Sequence, residues 1–316
     1  MIKNLFAYCK TIPIFFIVLS LTLLYVSLIP NIVVVAEDTG DYMETARNLS
    51  QTLYRPIGFP LLLRLGLILG NLKYIVIIHA FMCAVIFQVI YTLTKSKWII
   101  WILLAFGAYW IYVPYMLSDL SFAFFVIVSY YCLVKKRFEL HFLFIGLASL
   151  FKPTLAWFFI AEPFIIWFKY KDLKLAVYAF FMVFIFTSFT PMKNFFEHGI
   201  WTHSQILKLS INEYYFAQAD NKILYMIYSL FSNGVSTHWN SFFSIYGIFK
   251  GDTLWINLVN WMFAGIYFVI WLRFIIGSLM DKKYFELIFV AYFVAPTIFC
   301  HAGGGRWRLP FEFLLL

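Results

Sequence analysis

The run YIVIIHAFMCAVIFQVIYTLT, residues 74–94, carries no Asp, Glu, Lys or Arg. A helix of that length, rising 1.5 Å per residue, covers the roughly 30 Å hydrocarbon core of a bilayer. Comparable apolar runs occupy 11–35, 98–117, 120–134, 175–192, 253–279 and 285–300. Lipid offers backbone groups no water to bond with, so only helices or closed barrels cross it. Unbroken apolar runs, without the alternation of a barrel strand, select helices. Composition agrees. The chain is 63% hydrophobic and 12% charged, with mean hydropathy +0.85, against about 45–50% apolar and 25% charged for a soluble domain. Aromatic residues make up 22%, in keeping with interfacial Trp and Tyr belts.

The net charge of +9 does not call for nucleic acid. Lys and Arg gather in the short segments between runs, the pattern of loops kept on the cytoplasmic side. MIKNLFAYCK opens the chain, and no A-x-A-like cleavage site follows the first run. A retained signal-anchor span with a cytoplasmic N-terminus is therefore expected. Cys9, Cys83, Cys132 and Cys300 are scattered, suggesting neither a disulfide framework nor a zinc site.

The basic punctuation gives a path. The first run leads out to an acidic segment, and 57–70, too short to cross and carrying Arg64, reads as a re-entrant or interfacial helix. Residues 74–94 go in to Lys95 and Lys97, 98–117 return, and 120–134 go in to Lys135, Lys136 and Arg137. Residues 138–168 then separate Arg137 from Lys169, both expected inside. Two full crossings need about 40 residues, so this segment is expected to be a shallow hairpin turning at Lys152-Pro153. Lys152 either snorkels to the interface or, as an intramembrane lysine, is functional. Residues 175–192 lead to a larger external region, 193–252, with surface helices such as KILYMIYSLF. Residues 253–279 return to Asp281, Lys282 and Lys283, and 285–300 go out. The chain stops at Leu316, too few residues into a new apolar run to span. Either a last helix is truncated after 309 or the end rests in the interface. The fold class expected is all-α: a polytopic integral membrane protein, one domain over 1–316, with about 8–10 transmembrane or re-entrant helices and external amphipathic helices.

The acidic segment AEDTGDYMETARNLSQTLYRPIGFP, 36–60, stands apart, with Glu37, Asp38, Asp41 and Glu44 close together. In one reading Asp38 caps a helix over about 39–50, and Asp41 and Glu44 favour its positive end. In the other, Asp38, Tyr42 and Thr45 or Ala46 share a helix face, and a carboxylate at the membrane surface serves as general base toward a hydroxyl or amine. Arg47 and Arg55 suit phosphate. His198, His203, His238 and His301 lack zincin-like spacing and read as structural or solvated. Glu37, Asp38 and Asp41 offer oxygens of the kind that suits Mg²⁺ or Mn²⁺, which leaves a divalent cation open. No other cofactor is indicated.

The run Asp38-x-x-x-Tyr42-x-x-x-Ala46-Arg47-Asn48-Leu49, followed by Arg55-Pro56-x-Gly58-x-Pro60-Leu61-Leu62-Leu63, closely resembles the first external loop of C-class (GT-C) glycosyltransferases. The branch is that of protein O-mannosyltransferases and lipid A aminoarabinose transferases. Further segments follow in the family's order. Ser118-Asp119-Leu120 precedes a Phe-rich run, and GLASLFKPT (146–154) is similar to a turn ending in Lys/Arg-Pro. MKNFFEHG (192–199) is similar to an "Arg-Asn-Tyr" segment, with Lys193 in place of arginine, and GGGRWRLPFEFLLL (303–316) to a "Gly-Arg-Tyr-Arg-x-Pro" element.

The resemblance implies transfer of a hexosyl or pentosyl group from a polyprenyl-phosphate donor to a glycan, lipid or protein acceptor. The reaction would be a single inverting displacement outside a bacterial inner membrane. It implies Asp38 as catalytic base, with Glu37, Asp41, Tyr42 and Asp119 supporting the acceptor loop. Lys152, Arg306, Arg308 and Arg55 would bind the donor phosphate. Family members differ in metal use. Each assignment has a plainer counterpart: Asp119 as a helix cap, and Arg306 with Arg308 as interfacial anchors around Trp307. Expected partners are the lipid-linked donor, the acceptor and membrane lipids, with no nucleic acid. A lipid-linked saccharide transporter or flippase and a catalytically silent subunit are the alternatives. A transporter would be expected to show repeated halves, and none is visible.

Overall fold

The computed structural model describes residues 13–28, 36–49, 56–106, 109–110, 112–152, 155, 158–199, 254–299 and 314. Among these the regular structure is all α-helical, with no strand. Contacts divide the chain into two units, Met1–Lys152 and Pro153–Leu316.

The first unit holds α1 (Ile14–Leu28), α2 (Ala36–Arg47), α3 (Gly58–Ile68), α4 (Lys73–Thr94), α5 (Lys97–Phe106), α6 (Asp119–Val134) and α7 (Phe138–Ser149). Helix α4 is its axis, packed by α1, α5 and α6. The Phe15 amide donates to Gln88 Oε1 at 3.1 Å, and Phe15 sits edge-on to Phe81. Ile75, Ala80, Ile86, Phe87 and Ile90 are fully buried on the inner face of α4. Its outer face exposes Tyr74, Ile77 and Phe81. A soluble helix would carry polar residues there.

Helices α6 and α7 form a tight hairpin. It is pinned by Ser129 and His141, whose Oγ and Nδ1 lie 2.7 Å apart, both buried. Ser129 Oγ also reaches the His141 carbonyl at 3.1 Å.

The second unit holds α8 (Phe158–Tyr170), α9 (Leu173–His198), α10 (Leu254–Met280) and α11 (Tyr284–Phe299). Helix α8 packs on α9, where Phe159 meets Phe180 and Phe184, and on α11, where Phe158 meets Tyr292. Asp172 caps α9 by accepting from the Leu175 amide at 3.0 Å. Along α9, Val177, Phe181, Ile185 and Phe189 are exposed.

Helices α4 and α9 are long and apolar enough to cross a membrane. Helices α7 and α8, of 12 and 13 residues, reach only about 18–20 Å each, short of the roughly 30 Å of a bilayer core. A turn follows α7 at 150–152.

Three expectations need correcting. The run 98–117 is not one helix: α5 stops at Phe106, and turns occupy 109–110 and 112–114. Pro114 lacks an amide and disfavours helix before it. The Trp110 indole donates to the Leu104 carbonyl at 2.8 Å, occupying an acceptor of the last α5 turn. The acidic helix is Ala36–Arg47, not 39–50, so Asp38 belongs to its first turn and is not its cap. Helix α9 runs on past 192 to His198 and ends at Gly199, which has φ 69°. Lys193 is thus helical, pairing with Glu197 at 2.7 Å. The part of the expected external region 193–252 that lies beyond Gly199, with its surface helices, and the end after 309, apart from residue 314, lie outside the described residues.

Candidate functional site

The first turn of α6 gathers polar bonds from three other parts of the first unit. Immediately before it, the Met116 carbonyl accepts from Thr39 Oγ1 of α2 at 3.2 Å. Ser118, in the N-cap position, makes no cap hydrogen bond. Its Oγ lies 2.9 Å from Tyr42 Oη of α2, in a buried contact. Asp119 Oδ1 accepts from Lys152 Nζ at 2.5 Å. Ser121 Oγ lies 3.2 Å from His79 Nε2 of α4.

Local sequence makes this possible. Tyr42, Thr45 and Ala46 are buried along one stripe of α2, as their i, i+3 and i+4 spacing dictates. The stripe packs on α3, where Tyr42 meets Phe59 edge-on at 5.0 Å between centroids. Phe59 in turn stacks on the His79 ring at 5.9 Å and 16°. His79 Nδ1 lies 3.2 Å from the Val113 carbonyl. A carbonyl only accepts, so Nδ1 carries the proton, and in the neutral ring Nε2 accepts from the Ser121 hydroxyl.

Lys152 reaches Asp119 because the turn after α7 is docked onto the start of α3. The Gly58 amide donates to the Leu150 carbonyl at 2.6 Å, so an orphan donor of one helix start meets an orphan acceptor of one helix end. A Cβ on Gly58 would stand 2.6 Å from that oxygen and 2.9 Å from Phe151 Cδ2. Only glycine lets the two backbones approach this closely.

Of the residues expected from sequence, Tyr42, Asp119 and Lys152 are brought together around the first turn of α6. Asp119 is not the cap of α6, because Ser118 holds the N-cap position and Asp119 is the first residue of the helix, its Oδ1 accepting from Lys152. Nor is Lys152 an uncompensated cation. It is buried, and its charge is already balanced by Asp119. Asp41 lies half-buried on α2. Glu37 and Asp38 belong to the first turn of α2 by backbone, and their side chains lie outside the described residues, as do Arg55, Arg306 and Arg308. Among the described residues no three His, Cys, Asp or Glu side chains cluster as metal ligands. The candidate carboxylates Glu37 and Asp38 fall outside that set.

His79 escaped the sequence reading, although an ionisable residue within an apolar run is itself a signal. Ser121 and Thr39 gave none, since lone hydroxyls in helices are common. Comparison of the chain with protein-family models, with curated proteins and with solved structures finds no match.

Proposed function

We propose that the chain is a polytopic membrane glycosyltransferase. It moves a sugar from a polyprenyl-phosphate donor to a glycan, lipid or protein acceptor on the outer face of the membrane. One observation carries this reading. The segments on which the GT-C resemblance rests, Tyr42 with its helix, the Pro56–Pro60 return, Ser118-Asp119 and the Lys152 turn, are far apart in sequence. Yet Tyr42 bonds Ser118, Gly58 bonds Leu150, and Lys152 bonds Asp119. A set of unrelated interfacial residues would have no reason to converge.

Among the described residues, the membrane setting is supported by α4 and α9, long and apolar enough to span, and by the apolar side chains exposed along them. Soluble proteins rarely leave contiguous apolar surface of that kind uncovered. In the proposed reaction Asp38, four residues before Tyr42 on α2, accepts the proton of an acceptor hydroxyl or amine. The acceptor atom attacks the anomeric carbon, the bond from that carbon to the carrier phosphate oxygen breaks, and configuration inverts. Arg55, Arg306 and Arg308 stabilise the charge growing on the leaving phosphate. Lys152, held by Asp119, is assigned the same role.

Membranes bearing the Asp38→Asn chain are expected to lose sugar transfer from a labelled polyprenyl-phosphate sugar, a fall of at least ~100-fold on the scale of lost general-base catalysis. Expression should stay normal. Wild-type transfer by this variant would remove Asp38 as the base. Release of free polyprenyl phosphate is the discriminating product, since a flippase leaves the sugar–phosphate bond intact.

A further inference from the structure

The non-helical stretch between α5 and α6 lies against α4, a helix long and apolar enough to span. Tyr109 meets Phe87 of α4 at 5.8 Å between centroids, and Val113 meets His79, eight residues nearer the start of α4. The stretch therefore runs back along about 12 Å of α4. Backbone without helical bonds survives beside a spanning helix only where other groups satisfy it. Side chains do so here. The Trp110 indole donates to the Leu104 carbonyl, His79 Nδ1 to that of Val113, and Thr39 Oγ1 to that of Met116. Of these donors only His79 is ionisable. It is the one His, Asp, Glu, Lys or Arg between Lys73 and Lys95, and it is fully buried. An ionisable side chain in a spanning helix is costly and marks function by default. Thr39 serves its carbonyl without that cost, so the bond to Val113 alone does not account for a histidine.

What a histidine adds is a second arm and a flat face. Nε2 accepts from Ser121 Oγ at 3.2 Å, so the two ring nitrogens hold Val113 and Ser121. These bracket the site: Val113 stands five residues before Ser118, and Ser121 two after Asp119. The ring face stacks on Phe59, whose other contact is the Tyr42 ring, and Tyr42 Oη lies 2.9 Å from Ser118 Oγ. Phe59 also follows Gly58, whose amide is docked on the Leu150 carbonyl two residues before Lys152. Three routes thus lead from His79 to Ser118, Asp119 and Lys152, although it bonds to none of them.

We infer that His79 is a positioning residue. It ties the non-helical stretch to the first turn of α6, braces Phe59 from behind, and so fixes where Ser118, Asp119 and Lys152 stand. Its effect on sugar transfer rests on the glycosyltransferase reading above; its effect on the Asp119–Lys152 pair does not. The test therefore uses two readouts on the full chain in nanodiscs: the turnover of a labelled polyprenyl-phosphate sugar, and the ¹⁵N-lysine spectrum. The Lys152 ammonium is assigned by its absence when Asp119→Leu and Lys152→Met are combined. His79→Phe keeps a ring against Phe59 and loses both arms. It should shift the Lys152 signal and lower kcat on the order of 100-fold per folded protein, with the donor KM near its wild-type value. His79→Asn, whose amide takes the place of Nδ1 toward Val113, should recover part of that loss. Ser121→Ala removes one arm and should cost about fivefold, the scale of one neutral hydrogen bond. Combined with His79→Phe it should add nothing further, since both break the same contact. A lowered unfolding midpoint with wild-type kcat per folded protein would reduce His79 to core packing and overturn the inference, as would an unmoved Lys152 signal. Should His79→Phe fail to fold, wild-type kcat and an unmoved signal in both His79→Asn and Ser121→Ala would overturn it equally. If the wild type releases no polyprenyl phosphate, the glycosyltransferase reading falls, and the Lys152 signal alone judges the placement.

Discussion

Among the described residues, two lysine–carboxylate pairs join separate elements, one in each unit, and they are opposites. Lys152 and Asp119 meet at 2.5 Å, with side chains only 10% and 3% exposed. Lys169 and Glu286 stand 3.7 Å apart and are 28% and 19% exposed. The first lies amid the bonds from Tyr42, His79 and Thr39. The second lies at the end of α8, where Lys169 also sits 3.9 Å over the Phe285 ring. Burial decides what each can mean. Removing two charges from water costs several kcal/mol per ion, which Coulomb attraction often fails to offset, so a buried pair is weak support for stability. A pair kept in so expensive a place points to work other than holding the fold.

The largest effect follows from breaking that pair. Asp119→Ala removes the carboxylate that balances a buried ammonium, and a loss of about 3–5 kcal/mol in stability is expected. It should be read as a fall in the unfolding midpoint of purified protein. Replacing both members, Asp119→Leu with Lys152→Met, should recover most of that stability while sugar transfer stays lost. A double variant as unstable as the single one would show that the pair serves the fold, and would erase the contrast with Lys169.

Gly58 sharpens the contrast without touching either charge. In Gly58→Ala the new methyl group would lie 2.6 Å from the Leu150 carbonyl oxygen, so the start of α3 and the turn carrying Lys152 must separate. An overpacking cost of about 1–3 kcal/mol is expected. Transfer should fall more steeply than stability, because Lys152 moves with its turn. Full activity with lowered stability would mean that the position of this turn does not matter to the reaction.

Much of this arrangement was legible in the sequence, and the gaps have physical causes. Charge-free runs bounded by lysines mark α4 and most of α9. The short interval from Arg137 to Lys169 forces two helices too short to cross. What the sequence hid is pairing at a distance. Asp119 begins a helix, which by itself suggests a cap, and only the docking of Gly58 on Leu150 brings Lys152 within its reach. The break after Phe106 is masked by continuous hydrophobicity, because Tyr109 and Val113 are buried turn residues and apolar content cannot tell a buried turn from a helix. The lysines with positive φ after helix ends, Lys95, Lys136, Lys171 and Lys282, are equally hidden, since the usual sign of that position is glycine.

The smallest effect belongs to the outer pair. Lys169→Ala removes a long, partly solvated contact, and partly exposed ion pairs contribute roughly 0–1 kcal/mol. The ammonium over Phe285 adds a cation–π contact of about 0.5–1 kcal/mol at such a site. A loss near 1 kcal/mol is therefore expected, diminishing in high salt as the Debye length shortens. Lys169→Met separates the parts: it keeps the aliphatic stem against Phe285 and removes only the charge, so it should lose less than alanine does. The salt response discriminates most sharply. The effect of Asp119→Ala should be nearly indifferent to salt, because ions do not reach a buried pair, while that of Lys169→Ala should shrink. If both respond alike, the Asp119–Lys152 pair is open to solvent in the working protein, and its case as a buried positioning element beside the donor phosphate falls with that result.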